Sequence, residues 1–313
     1  VDGRVVVPDD EFVGAVADPL ALASVPGAEG ALATYATSGG WRMTSVSPVH
    51  SLPRITDIYV RADAGQWQQD FWQLGGQEEE LAYATTFPRP YTAGQEYEAT
   101  WNTGVFGPDI SNGDGLFREG DVLYGWLNPF SDGGGHIGTG RAESGSTTLY
   151  LNGEEYATAE DFVDGTSFDL PPEEGEYELV TTVRRGEPVA SVSTEISASF
   201  TFTSATTPEG EFTPLPTSVV RFTPELAPDS TAPAGESTFV PVTVQGAAGE
   251  NPGSLTVSVS HDRGGTWSEL PVADGGVTVE NPAAGGSVSL RAEVTDGQGN
   301  ASSLTVLDAY RTA

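Results

Sequence analysis

The sequence predicts an all-β protein made of two or three β-sandwich modules, the last immunoglobulin-like or fibronectin-III-like. Two observations carry this. Apolar residues recur with a period of two, and turn formers (39 Gly and 22 Pro in 313 residues) interrupt them at short intervals. The clearest run, VSTEISASFTFT at 192–203, sets Val192, Thr194, Ile196, Ala198, Phe200 and Phe202 on one face and Ser, Glu and Thr on the other. That is the pattern of an antiparallel strand with one face buried and one wet.

Along the chain, residues 1–104 read as a β-rich N-terminal module. It contains an Ala-rich stretch at 21–37 in which Pro26, Gly27, Gly30 and Ser38 leave room for a short helix at most. The aromatic run WQQDFWQL and the block YEATWNTGVFGP follow. A boundary near 105 opens a second sandwich module, 105–206, which runs from GDVLYGWLNPFSDGGG to SFTFTS. A single two-sheet domain over the first 205 residues is the alternative. The Thr- and Pro-rich stretch TSATTPEGEFTPLP, 203–216, reads as a linker. The last module, 207–313, holds seven strand candidates after the linker, over 217–313, beginning near Val219, Phe239, Leu255, Trp267, Val277, Val288 and Leu304. Seven short strands in about 100 residues suit an immunoglobulin-like sandwich, and VTDGQGN (294–300) supplies a polar turn before the last strand.

Charge and composition exclude several functions. All 13 basic residues are Arg, against 45 Asp and Glu, for a net charge of −32. Such a surface repels phosphate backbones and anionic membranes, so no nucleic-acid partner is expected. No apolar run reaches the length of a membrane span, so no membrane insertion is expected. With no Cys, disulfides, thiolate catalysis and Cys-based zinc sites are ruled out. The opening VDGRVVVPDD is no signal peptide, so a secreted form would be a processed chain or a fragment.

The most motif-like stretch is SHDRGGTW, 260–267, the Asp-box pattern of β-propeller glycosidases. Ser260, Asp262, Gly264, Thr266 and Trp267 read as a hairpin device: the Asp carboxylate accepts backbone N–H groups, glycines supply permissive dihedrals, and Trp267 packs on the following sheet. One copy without a blade-length repeat makes it a structural turn. GTSFDLP (165–171) superficially resembles a subtilisin nucleophile segment, but Asp169 stands where a small residue belongs. Of the three imidazoles, His50 lies beside a Pro-rich stretch and His261 in the Asp-box turn, and His136, in GGGHIGTG, reads as a solvated loop residue. No Ser–His–Asp set is expected. The oxygen-rich loop PDISNGDGLFREGD offers Asp109, Asn112, Asp114 and Asp121, with Glu119 nearby, as calcium candidates, although the spacing is not that of an EF-hand. Trp41, Trp67, Trp72 and Trp101 could form a glycan platform if solvent-facing, whereas their burial would make them core.

Beyond single motifs, the order of blocks carries a resemblance. YTAGQEYEATWNTGVFGP, GDVLYGWLNPFSDGGGHIG, TTLYLNGEE, YELVTTVRR and SASFTFTS are followed by FTPELAPDSTAPAGESTFVPVTVQ, LTVSVSHDRGGTW and VSLRAEVTDGQGN. Over roughly residues 85–313 this resembles the C-terminal, non-catalytic region of large secreted actinobacterial subtilisin-like serine proteases. The resemblance implies a secreted, extracellular accessory region that stabilises or orients a protease domain or contacts substrates and surfaces, with no catalytic residue of its own. Its implied partner is the protease domain of the same precursor or a cleaved protease chain, with protein or glycan surfaces as further partners. A carbohydrate-binding or adhesive β-sandwich protein is the alternative, and an autonomous carboxylate hydrolase, needing two convergent acids with one pKa raised, comes third.

Overall fold

Period-two alternation becomes strand throughout the computed structural model, which describes residues 3–6, 29–38, 41–46, 50–52, 57–60, 62, 65–76, 79–249 and 251–313. Among the described residues there is no α-helix and hence no helix able to cross a membrane. The protein is all-β.

The N-terminal part contributes β1 (Gly3–Val6), β2 (Glu29–Ser38), β3 (Trp41–Val46), β4 (His50–Ser51), β5 (Asp57–Tyr59), β6 (Gln66–Leu74), β7 (Glu80–Thr85) and β8 (Glu96–Ala99). β1 runs between β5 and β8 in a small sheet. β3, β2, β6 and β7 line up side by side, and a later strand, β11 (Ile137–Gly140), adds to the edge of β7. Part of the Ala-rich stretch read as allowing a short helix is therefore strand from residue 29. Leu32, Thr34 and Ala36 alternate with Ala31, Ala33 and Tyr35, a period that suits a sheet buried on both faces. Residues 21–28 lie outside the described residues.

The middle of the chain adds β9 (Gly115–Glu119), β10 (Val122–Trp126), β12 (Ser144–Leu151), β13 (Glu154–Ala159), β14 (Ser167–Asp169), β15 (Gly175–Arg184) and β16 (Glu195–Ser204). The last part adds β17 (Thr213–Pro214), β18 (Ser218–Phe222), β19 (Thr231–Ala232), β20 (Ser237–Gly246), β21 (Ser254–Ser260), β22 (Ser268–Leu270), β23 (Gly276–Glu280), β24 (Ser287–Thr295) and β25 (Ala301–Thr312). Each of the seven strands expected after 216 is present, and the Asp296 turn joins β24 to β25.

One long sheet, in the order β13-β12-β15-β16-β25-β24-β21-β22, carries residues from both sides of 206/207. The join is the β16–β25 pair, with Ile196 opposite Val306 and Ala198 opposite Leu304. Side chains in register then run unbroken across the sheet: Val257, Ala292, Leu304, Ala198, Thr181 and Thr147. The two buried threonines at the end of this row are satisfied, their hydroxyls 2.8 Å apart and Thr181 accepting the Val163 N–H. The short sheets β14-β10-β9-β17 and β18-β20-β23 complete the two sandwiches, and their inward residues join one apolar core with those of the long sheet. The expected linker is no free tether. Thr213 and Pro214 pair with β9, and the Thr207 amide donates to Gly120 O, because the stretch keeps enough N–H groups to finish that sheet's edge.

Of the three arginines buried among the described residues, Arg118, Arg185 and Arg221, the last two are held under opposite conditions. Arg221 makes a set of carbonyl bonds described below. Arg185 is clamped between the rings of Phe106 (4.1 Å) and Phe130 (4.5 Å), its Nε donates to Ser193 O at 3.3 Å, and its Nη2 has no partner. Burial pushes this guanidinium down to about 9. Because a buried charge without a counter-ion costs more than its contacts return, Arg185→Met is expected to fall within about 1 kcal/mol of the parent or above it in chemical denaturation.

Candidate functional site

Two polar loops meet between the N-terminal sheet and the sandwiches. One is 100–109, leaving β8. The other is 127–136, between β10 and β11. The second is folded back by its glycines: Asp132 N–H donates to His136 O and Gly135 N–H to Asp132 O. A Cβ on Gly133 would run into Gly104 O, and one on Gly134 into Thr100 O, so only glycine lets the loops approach this closely.

The fold-back buries His136, leaving 7 % of it exposed. This corrects the reading of a solvated loop histidine. The imidazole Nδ1 lies 2.9 and 3.0 Å from the two Asp132 carboxylate oxygens, and the ring stacks on Trp101 at 3.6 Å and 4°. Asp132, 1 % exposed, also accepts the Asn102 N–H at 2.6 Å and the His136 N–H at 3.0 Å. Asn102 Nδ2 in turn donates to Gln73 Oε1 on β6. Arg221 closes the junction from β18, donating to the carbonyls of Gly107, Pro108, Ser131 and Asp132, with Asp109 Oδ2 at 3.5 Å from its Nε. Burial pulls the Arg221 pKa down and the charges of Asp109 and Asp132 push it up, with burial the stronger.

His136 lines a cleft of about 940 Å³, together with Arg89, Glu98, Thr103, Glu225 and Thr231. Arg89 is fixed on the aromatic pair Tyr91 and Tyr97, its Nε 2.9 Å from Tyr91 Oη. The cleft's threonines include two that are engaged: Thr103 Oγ1 donates to Trp101 O and Thr231 Oγ1 to Asp229 Oδ1. The arrangement can present an imidazole, a guanidinium and two carboxylates to a polar ligand. The sequence reading missed this dyad. Its signal was an Asp four residues ahead of a His around three glycines.

The other expected site residues are dispersed. Asp109 caps Ser111 N–H (2.8 Å) and faces Arg221, Asp114 accepts from Asn112 and Asn128, and Asp121 is held by Arg118 at 2.8 Å. Among the described residues no three His, Asp or Glu side chains form a group able to hold a metal. Arginine and asparagine side chains already bond these oxygens. Trp67 and Trp101 are core, at 8 % and 1 % exposed, Trp72 is half-buried against Tyr83, and the Trp41 side chain lies outside the described residues. These tryptophans form no open platform where they are described. Ser167 sits on strand β14, paired with Tyr124, where a subtilisin nucleophile would begin a helix. His261 is exposed, and the His50 side chain lies outside the described residues.

Asp262 is bound up in its turn. Its Oδ1 takes the Thr266 N–H and the Ser260 hydroxyl (2.8 and 2.7 Å), and its Oδ2 takes the Thr266 hydroxyl (2.8 Å). Arg263 and Gly264 occupy the left-handed region at φ 57° and 86°, while Arg291 lies over the Trp267 ring. Hydrogen bonds from Ser260 and then Thr266 hold the Asp262 carboxyl down at about 2. With the folded pKa below the unfolded value, the turn's contribution is complete above about pH 4 and is lost as pH falls through about 2. The Thr266 amide resonance, followed from pH 5 to pH 1.5, is expected to titrate at about 2 and to stay flat in Asp262→Asn. Other carboxylates displaced from the ordinary range, Asp121 and Asp296, are also held low.

No protein-family model and no curated protein matches the chain. Among solved structures, the immunoglobulin domains 1–5 of Sidekick-1 align over 95 % of this chain and 78 % of that one, at 12 % identity and a TM-score of 0.19, too low to support an argument. The strand pairing itself defines the class: an all-β protein of fused sandwiches, with a polar cleft where they meet the N-terminal sheet.

Proposed function

We propose that the protein is a non-catalytic extracellular accessory unit of a subtilisin-like serine protease, a rigid platform that stabilises or positions the protease domain. The observation that supports it most is the use made of the His136–Asp132 pair. A general base needs a nucleophile beside it, yet the described hydroxyl bonds around this pair run to backbone groups and to Asp229, and the pair's own bonds tie two loops together. The resemblance in block order supplies the protease connection, and the acidic surface suits basic partners whose binding weakens with salt. The test is deletion of this segment from the precursor. Turnover of a small chromogenic peptide should stay unchanged while the half-life of the protease at elevated temperature shortens. An unchanged half-life would overturn the stabilising role.

A further inference from the structure

The outer face of the β14-β10-β9-β17 sheet is aromatic and acidic. In register, one row across it reads Asp169, Val122, Glu119, and the next reads Ser167, Tyr124, Phe117, Pro214. Trp126 follows opposite Gly115, which has no side chain to cover the indole. Glu119 Oε1 accepts the Gly210 N–H, folding the neighbouring segment back so that Phe212 reaches the rings while 48 % exposed. Tyr124 and Trp126 are parallel within 8°, and Phe212 stands edge-on to both, at 76° and 71° and 5.3 Å. Phe117 adds a fourth ring, 5.2 Å from Trp126. Arg118, between Phe117 and Glu119, turns to the other face and is fully buried.

We infer that this face is a docking surface for a basic protein segment, one Arg or Lys side chain entering the Tyr124–Trp126–Phe212 cluster. The ring faces attract a cation, and the carboxylates of Asp169 and Glu119 beside them favour its charge. A neutral glycan would gain from the rings alone. Charge complementarity therefore selects the basic segment. The inference stands on this surface and does not depend on the precursor reading.

Octa-arginine peptide is the probe, titrated calorimetrically into the full chain at low salt, with a neutral β-glucan hexasaccharide alongside. Phe212→Ser and Asp169→Asn change exposed side chains and should leave the circular dichroism unaltered. Each is expected to weaken the peptide about fivefold to tenfold. Glu269→Gln, which removes an exposed charge from β22, should change it less than about twofold, as expected for diffuse attraction. Equal affinity across the three variants would show attraction by net charge alone and overturn the inference. So would a hexasaccharide that binds and is weakened by Phe212→Ser while octa-arginine is not.

Discussion

Arg221→Met is expected to lower the unfolding free energy by about 3–5 kcal/mol, the scale found when one partner of a buried charge cluster is removed. Methionine fills most of the volume, so the loss is one of bonding. The carbonyls of Gly107 and Pro108 lose their donor, those of Ser131 and Asp132 keep only a backbone N–H, and Asp109, 3 % exposed, is left with a buried charge. Each buried acceptor left unpaired costs about 1–3 kcal/mol. Arg185→Met is the internal control, since it removes an equally buried guanidinium that satisfies almost nothing. Denaturant midpoints of the two variants should therefore move by very different amounts. Similar shifts would mean that burial, not the carbonyl set, decides the cost.

Asp132→Ala is expected to cost a similar amount, about 3–5 kcal/mol. It leaves the Asn102 and His136 amides and His136 Nδ1 without their buried partner. His136 should also lose its register on Trp101, so the tryptophan emission should shift to the red before global unfolding. Asp132→Asn keeps the volume and one acceptor and should lose less. Because Arg221 binds the carbonyl of Asp132 itself, the double variant should be less destabilised than the sum, with a coupling of about 0.5–3 kcal/mol. Strict additivity would mean that the two loops are not one unit.

What the sequence disclosed follows from range. Strands announce themselves locally, so Ile196 to Phe202 and Val288 to Val294 could be assigned to their buried face from alternation alone. The Asp262 turn was equally legible, since its partners lie within four residues. The junction was not. Asn102 reaches Asp132 across 30 positions and Arg221 reaches Gly107 across 114, and no local pattern encodes either approach. The partners of the 108–121 loop are hidden too: the sequence does not show that Arg118 meets Asp121 and Arg221 meets Asp109. In GDVLYGW the larger face, Val122, Tyr124 and Trp126, is the outer one and Leu123 and Gly125 face inward, so side-chain size alone could not show that Tyr124 and Trp126 are the outer pair. Nor did the Pro-rich stretch reveal that β17 would complete a sheet and that Phe212 would cover its rings.

The accessory role is tested most directly by the intact mass and amino-terminal sequence of the protein as its source produces it, set beside the encoded precursor. A subtilisin-type domain ahead of Val1 in the same reading frame, released with this segment or still bound to it, is the predicted result. A reading frame in which only a signal peptide precedes Val1 would contradict it, and the chain would then act without a protease.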